Sequence, residues 1–195
     1  MRTYRLVPAA TLAFAIGCTE STSTLHENTP PQGPTLASVH LKGGAHAEPS
    51  FTDLILTLNT AGELAGLGND DILVTLAATG DPTATCTNPA GATQPPGQNP
   101  AEVTLTGSQS IPAEEIDNGN VPFDVTTAAP VTPIPGAPGC PNPLWTENIT
   151  DVSFTSAEIT VEQPAGTLVL TVSCTFSPST SNGPIPKDDV ACTQS

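Results

Sequence analysis

The chain has 195 residues, 22 of them proline, with four basic residues against 19 acidic ones and a formal net charge of −15. Such a charge repels phosphate backbones and anionic lipid surfaces, which excludes nucleic-acid binding as a function class. Aromatic residues are only 4% of the chain, so material for base-stacking or sugar-binding walls is scarce.

In chain order, the first element is an export signal. Arg2 and Arg5 precede an apolar run from Leu6 to Ile16. The run is too short to span a bilayer as a helix but suits a signal-peptide core. It ends Ala15-Ile16-Gly17-Cys18, which resembles the lipobox of bacterial lipoproteins. The resemblance implies cleavage after residue 17, a diacylglycerol on the Cys18 sulfur, and the membrane as a partner through that anchor. Burial of acyl chains contributes about 0.8 kcal/mol per CH₂, so several chains hold a protein firmly. Thr19, not Asp, follows the cysteine, which in a Gram-negative cell resembles an outer-membrane address. Ala15 stands where that family usually has leucine, and ordinary secretion is the alternative outcome. Without residues 1–17, Lys42 and Lys187 are the only lysines or arginines left.

Residues 18–37 contain Pro30, Pro31 and Pro34 and no apolar periodicity. They read as a disordered, lipid-anchored linker spanning about 25 Å as a flexible coil. From Ser38 to Ser195 the chain is a succession of short strand candidates divided by turn residues. Val39 and Leu41 begin one. FTDLILTL (51–58) is the next, with Leu54, Leu56 and Leu58 on one face, and AGELAGLGNDD (61–71) reads as the turn after it. ILVTLAA (72–78) alternates, and Ala84–Cys86 extends or rejoins it after a kink at Gly80-Asp81-Pro82. AEVTLTG (101–107) and VPFDVTT (121–127) follow. The cleanest pattern is C-terminal. Phe154, Ile159 and Val161 lead through a Pro164-Ala165-Gly166 turn to Leu168, Leu170, Val172, Cys174 and Phe176 at alternate positions. That is a hairpin with one buried and one wet face. Prolines this dense exclude long helices and central-strand positions. These features predict an all-β domain over 38–195, an antiparallel β-sandwich that is Ig-like in architecture, with a small barrel as the alternative.

Setting Cys18 aside leaves Cys86, Cys140, Cys174 and Cys192. Four cysteines allow three pairings. Cys174 and Cys192 flank a Pro/Ser/Gly-rich excursion and are expected to pair locally, with Cys86 and Cys140 closing a longer loop. The alternative use of cysteine, a zinc site, is disfavoured because no CxxC pair is present and no histidine lies near a cysteine.

Three stretches carry a second resemblance. They are Gly66-Leu67-Gly68-Asn69; Cys86-Thr87-Asn88-Pro89-Ala90-Gly91 with Pro96 and Asn99; and Cys140-Pro141-Asn142-Pro143-Leu144-Trp145. Together they resemble a group of small secreted proteins of bacteria and fungi with a GLG turn, a C-x-N-x-x-G loop and a later Cys-Pro. The resemblance covers about residues 50–178, implies export and a β fold, and favours the Cys86–Cys140 pairing. It implies no activity.

Chemistry finds few candidates. The histidines are His26, His40 and His46, and no G-x-S-x-G elbow is present. A Ser–His hydrolase is therefore disfavoured. The acidic run Glu114-Glu115-Ile116-Asp117 lacks the aromatic platforms of a glycosidase site. Asn69-Asp70-Asp71 and Glu114, Glu115, Asp117, Asn118 and Asn120 offer hard oxygen donors for calcium. They match no EF-hand loop and read as solvated acidic loops. Trp145 reads as a core cap beside a disulfide, and Asn148-Ile149-Thr150 as a chance sequon. No catalytic residue, cofactor or metal is expected. The leading expectation is a non-catalytic envelope domain of unknown ligand. The alternative is a ligand-binding or adhesive module using the 88–100 and 111–150 loops.

Overall fold

The computed structural model describes residues 38–98 and 100–195. The signal segment, Cys18, Thr19, the 18–37 linker with His26, and Asn99 lie outside the described residues. Twelve strands run β1 His40–Leu41, β2 Ser50–Asp53, β3 Leu58–Ala65, β4 Ile72–Thr87, β5 Thr93–Gln94, β6 Val103–Ile111, β7 Asn120–Thr126, β8 Ile134–Pro135, β9 Thr146–Glu162, β10 Leu168–Phe176, β11 Gly183–Pro184 and β12 Val190–Gln194. The only helical pieces among the described residues are single 3₁₀ turns at Ala113–Glu115 and Lys187–Asp189.

The strands form two antiparallel sheets, which makes the domain a β-sandwich. The smaller sheet centres on β3. On one side β3 pairs with β7, on the other with β2 and then β1, and β11 extends β2. The larger sheet runs β12–β10–β9–β4–β6, with β5 beside the far end of β4 and β8 beside the start of β9. Apolar side chains from both inner faces meet between the sheets. Leu58, Leu64, Val121 and Val125 come from one, and Val74, Leu76, Phe154, Ile159 and Val172 from the other. Phe51 and Phe176 meet edge to face across the gap, ring centroids 5.1 Å apart.

Glutamine side chains close the flanks. Gln109 of β6 accepts from the Asp124 N–H of β7. Gln194 of β12 accepts from the Leu41 N–H of β1 and donates to the carbonyls of Gly44 and Ala47. Each supplies backbone hydrogen bonds that the missing strand would have made.

β4 and β9 form a ribbon of 16 and 17 residues, paired from Leu73–Glu162 to Thr87–Thr146 with two register shifts. The shifts insert Thr150 and Thr155 of β9 as extra residues. Both threonines donate their hydroxyls back across the ribbon, Thr150 to the Thr83 carbonyl and Thr155 to the Thr79 carbonyl. Buried β9 positions therefore change phase twice, from 147 and 149 to 152 and 154, then to 157, 159 and 161. Gly80 sits opposite the second bulge, where a Cβ would stand 2.8 Å from both Phe154 Cα and the Ser153 carbonyl oxygen.

Three strand expectations need correction. FTDLILTL does not form one strand, because the chain turns over 54–57 and leaves Leu54 about half exposed. AGELA is strand rather than turn, since β3 runs through to Ala65. Gly80-Asp81-Pro82 does not interrupt β4, and Pro82 is buried inside a long strand. Strand pairing with β6 ends at Gly80 and with β5 begins at Cys86, so β4 near Pro82 has a strand partner only on the β9 side. The proline is tolerated where a ladder partner is missing.

Candidate functional site

Cys86 is bonded to Cys140, 5.6 Å apart at Cα, and Cys174 to Cys192, 4.1 Å apart at Cα. The second bond joins residues directly opposite on β10 and β12. Thr171 and Ser195 exchange both backbone hydrogen bonds, so Cys174–Cys192 falls on the alternate, non-hydrogen-bonded pair where Cα atoms approach most closely. The first bond ties the far end of β4 to the loop before β9.

The three motif stretches are turn chemistry. The Asn88 side chain accepts from the N–H groups of Ala90 and Ala92, and the Gly91 N–H donates to the Asn88 carbonyl. Gly91 has φ 82°, a conformation that favours glycine. The Asn142 side chain accepts from the Leu144 N–H, and its carbonyl from the Trp145 N–H. In the GLG stretch, Gly68 donates to the Gln163 side chain, and that side chain donates to the Asp70 carbonyl. Trp145 is half-buried. Asn148 is held inside β9, donating to the Thr87 hydroxyl.

The two acidic loops meet at one end of the sandwich. The Leu67 N–H donates to the Gly119 carbonyl, and the Ala113 N–H to the Asp71 carboxylate. Yet Asp70, Asp71, Glu114, Glu115 and Asp117 are all exposed. Among the described residues, the one metal-like group is Cys86, Cys140 and Glu147. Its cysteines are joined to each other and offer no thiolate. His40 hydrogen-bonds the Ser38 carbonyl, and His46 is exposed.

Sequence reasoning missed two buried acidic features. At the β2–β3 turn, Asp53 is 3% exposed. Its carboxylate accepts from the Ile55 N–H and from the Thr180 hydroxyl, which in turn accepts from the Phe154 N–H. Asp151 stands beside it with Oδ1 buried and unpartnered. Burial first, and the Asp53 charge second, push the Asp151 carboxyl above its ordinary value, against hydrogen bonds from the Val152 backbone and the Asn182 side chain.

The second feature is Glu147, 5% exposed, whose Oε1 has no hydrogen-bond partner. It lines a cavity of about 310 Å³ with Gln98, Pro100, Ala101, Ile134, Ala137, Pro138 and Gly139. This cavity lies between Gln98, Pro100 and Ala101 on one side and the 134–147 segment on the other, near the start of β9. Two further hollows of about 340 and 460 Å³ share Ser38, Val39 and Val169, but neither is lined by a buried charge. The signal for Glu147 was alternation, since it precedes buried Ile149 by two positions.

Comparison with known proteins found no matching family model, no similar curated protein and no similar solved structure.

Proposed function

We propose that this protein is an exported, lipid-anchored, non-catalytic β-sandwich of the bacterial cell envelope, with secretion as the outcome if Cys18 escapes lipidation. The observation that carries the reading is the pair of disulfides, Cys86–Cys140 and Cys174–Cys192. Disulfides persist in oxidising compartments, and the Arg2/Arg5–apolar–Cys18 leader supplies the route to one. The acidic mature chain supports solubility. Labelled palmitate fed to cells producing the wild type or Cys18→Ala tests the anchor. Label is expected in the wild type and absent from the variant, and equal labelling overturns the anchor.

A second reading is a ligand-binding or adhesive module. The Glu147 cavity favours it, because most of its lining residues belong to the 88–100 and 111–150 loops and it holds a buried carboxylate. Retention of the protein on lysine-coated against neutral surfaces, at varied salt, tests this reading.

A further inference from the structure

We infer that the cavity lined by Gln98, Pro100, Ala101 and the 134–147 segment binds an aliphatic ammonium group, with Glu147 as its counter-charge. The inference deepens the ligand-binding reading and rests on it, but does not depend on lipidation.

An ionised carboxylate withdrawn from water needs a paired charge or a full set of donors. Glu147 has neither at Oε1, although only 5% of the residue is exposed. The chain cannot supply the cation. Lys42 pairs with Glu63 at 2.6 Å, and Lys187 lies exposed in the 187–189 turn. Those are the only lysines or arginines beyond the leader, so a cation paired with Glu147 has to come from outside.

The shape of the site selects the class of cation. A Cβ built on Gly139 would stand 2.7 Å from the Gln98 carbonyl oxygen and 3.2 Å from Glu147 Oε1. Two acceptors therefore lie close to each other beside Gly139, where the backbone approach leaves no room for a side chain. An ammonium carries three donors and can address both at once. The remaining walls, Pro100, Ala101, Ile134, Ala137 and Pro138, are aliphatic and suit a methylene stem rather than a hydrated ion. A volume of about 310 Å³ falls at the small end of ligand pockets. A metal ion fits poorly. The carboxylate oxygen and both sulfurs lie within 4.8 Å of one another, but disulfide sulfurs are not thiolate ligands, and hard cations require many oxygens.

The test is an NMR titration of the purified protein with n-butylammonium chloride, with n-butanol and calcium chloride as controls. Saturable shifts are expected around Gly139 and Glu147, with a Kd of about 1 mM for so small a ligand. Glu147→Gln keeps the shape, removes the charge, and is expected to weaken binding about tenfold or more. Ala101→Phe fills the cavity from its exposed rim, leaves Glu147 in place, and is expected to abolish binding. It decides the matter if Glu147→Gln does not fold. Equal binding of butanol, calcium binding that depends on Glu147, or full affinity in a folded variant each overturns the inference. Failure to bind butylammonium also overturns it. If the protein is still retained on lysine-coated surfaces, the broader binding reading survives that failure.

Discussion

Asp151 shows how one residue can couple this domain to pH. Its carboxyl is raised by burial and by Asp53, so the folded state holds that proton more tightly than the unfolded chain does. Over the window between the ordinary value of 3.8 and the raised one, folding takes up a proton, and stability falls as pH rises. The contribution is present in full below 3.8 and is lost as pH climbs through the raised value. Asp151→Asn keeps the shape and can donate toward Asp53. It is expected to stabilise the domain at pH 7 and to flatten the slope between mildly acid and neutral pH. Denaturant midpoints of wild type and variant, measured in parallel across that range, check this. A destabilised variant at pH 7 would place the cause elsewhere.

At the scale of elements, the β4–β9 ribbon is the axis of the molecule, and its bulges decide which residues face inward. Gly80 allows Phe154 and Ser153 to approach its Cα closely enough that a Cβ would collide with backbone. Gly80→Ala must therefore push two central strands apart. A cost of about 1–3 kcal/mol is expected, on the scale of core overpacking. Thermal and denaturant unfolding measure it. A change below about 0.5 kcal/mol, the range of a neutral surface substitution, would show that the bulge is free to relax. The register is also where sequence reasoning fell short. Period-2 reading works on β10, which has one phase from Leu170 to Phe176. It fails along β9 because each extra threonine reverses the inward face. The β2–β3 turn was displaced for a related reason. Leu54, Ile55, Leu56 and Leu58 form an apolar run that looks like a strand, yet Ile55 takes φ 76° and the chain reverses there.

For the whole molecule, the two disulfides act on regions of different strength. Cys174–Cys192 joins strands already paired along five residue positions. Cys86–Cys140 closes 54 residues and secures a loop-rich end whose own strands, β5 and β8, are two residues each. Chain entropy assigns about 4 kcal/mol to that closure. In Cys86→Ala/Cys140→Ala, hydrogen exchange is expected to quicken first over 88–98 and 132–147, while β3 and β10 remain protected. Uniform loss of protection would show instead that this end and the sandwich unfold as one unit. The same end carries the Glu147 cavity, so the double variant should lose ammonium binding before it loses its core.

Local chemistry was enough for the elements that depend on it. Alternation in 170–176, proline density and the spacing of Cys174 and Cys192 are properties of neighbouring residues, and they point to an antiparallel all-β domain without any fold in hand. The tertiary structure decided what depends on partners distant in sequence. It put a glutamine from one strand against the bare edge of another, reversed the face of β9 at two bulges, and brought Asp53 beside Asp151 across 98 positions of chain. It also buried Glu147 beside a disulfide, beneath loops from both sides of the ribbon. Alternation puts Glu147 on the face of Ile149, but the sequence does not tell a face that meets water from one that meets a cavity. Only the packing of the other strands withdraws its solvent, and that withdrawal gives Glu147 its chemical interest.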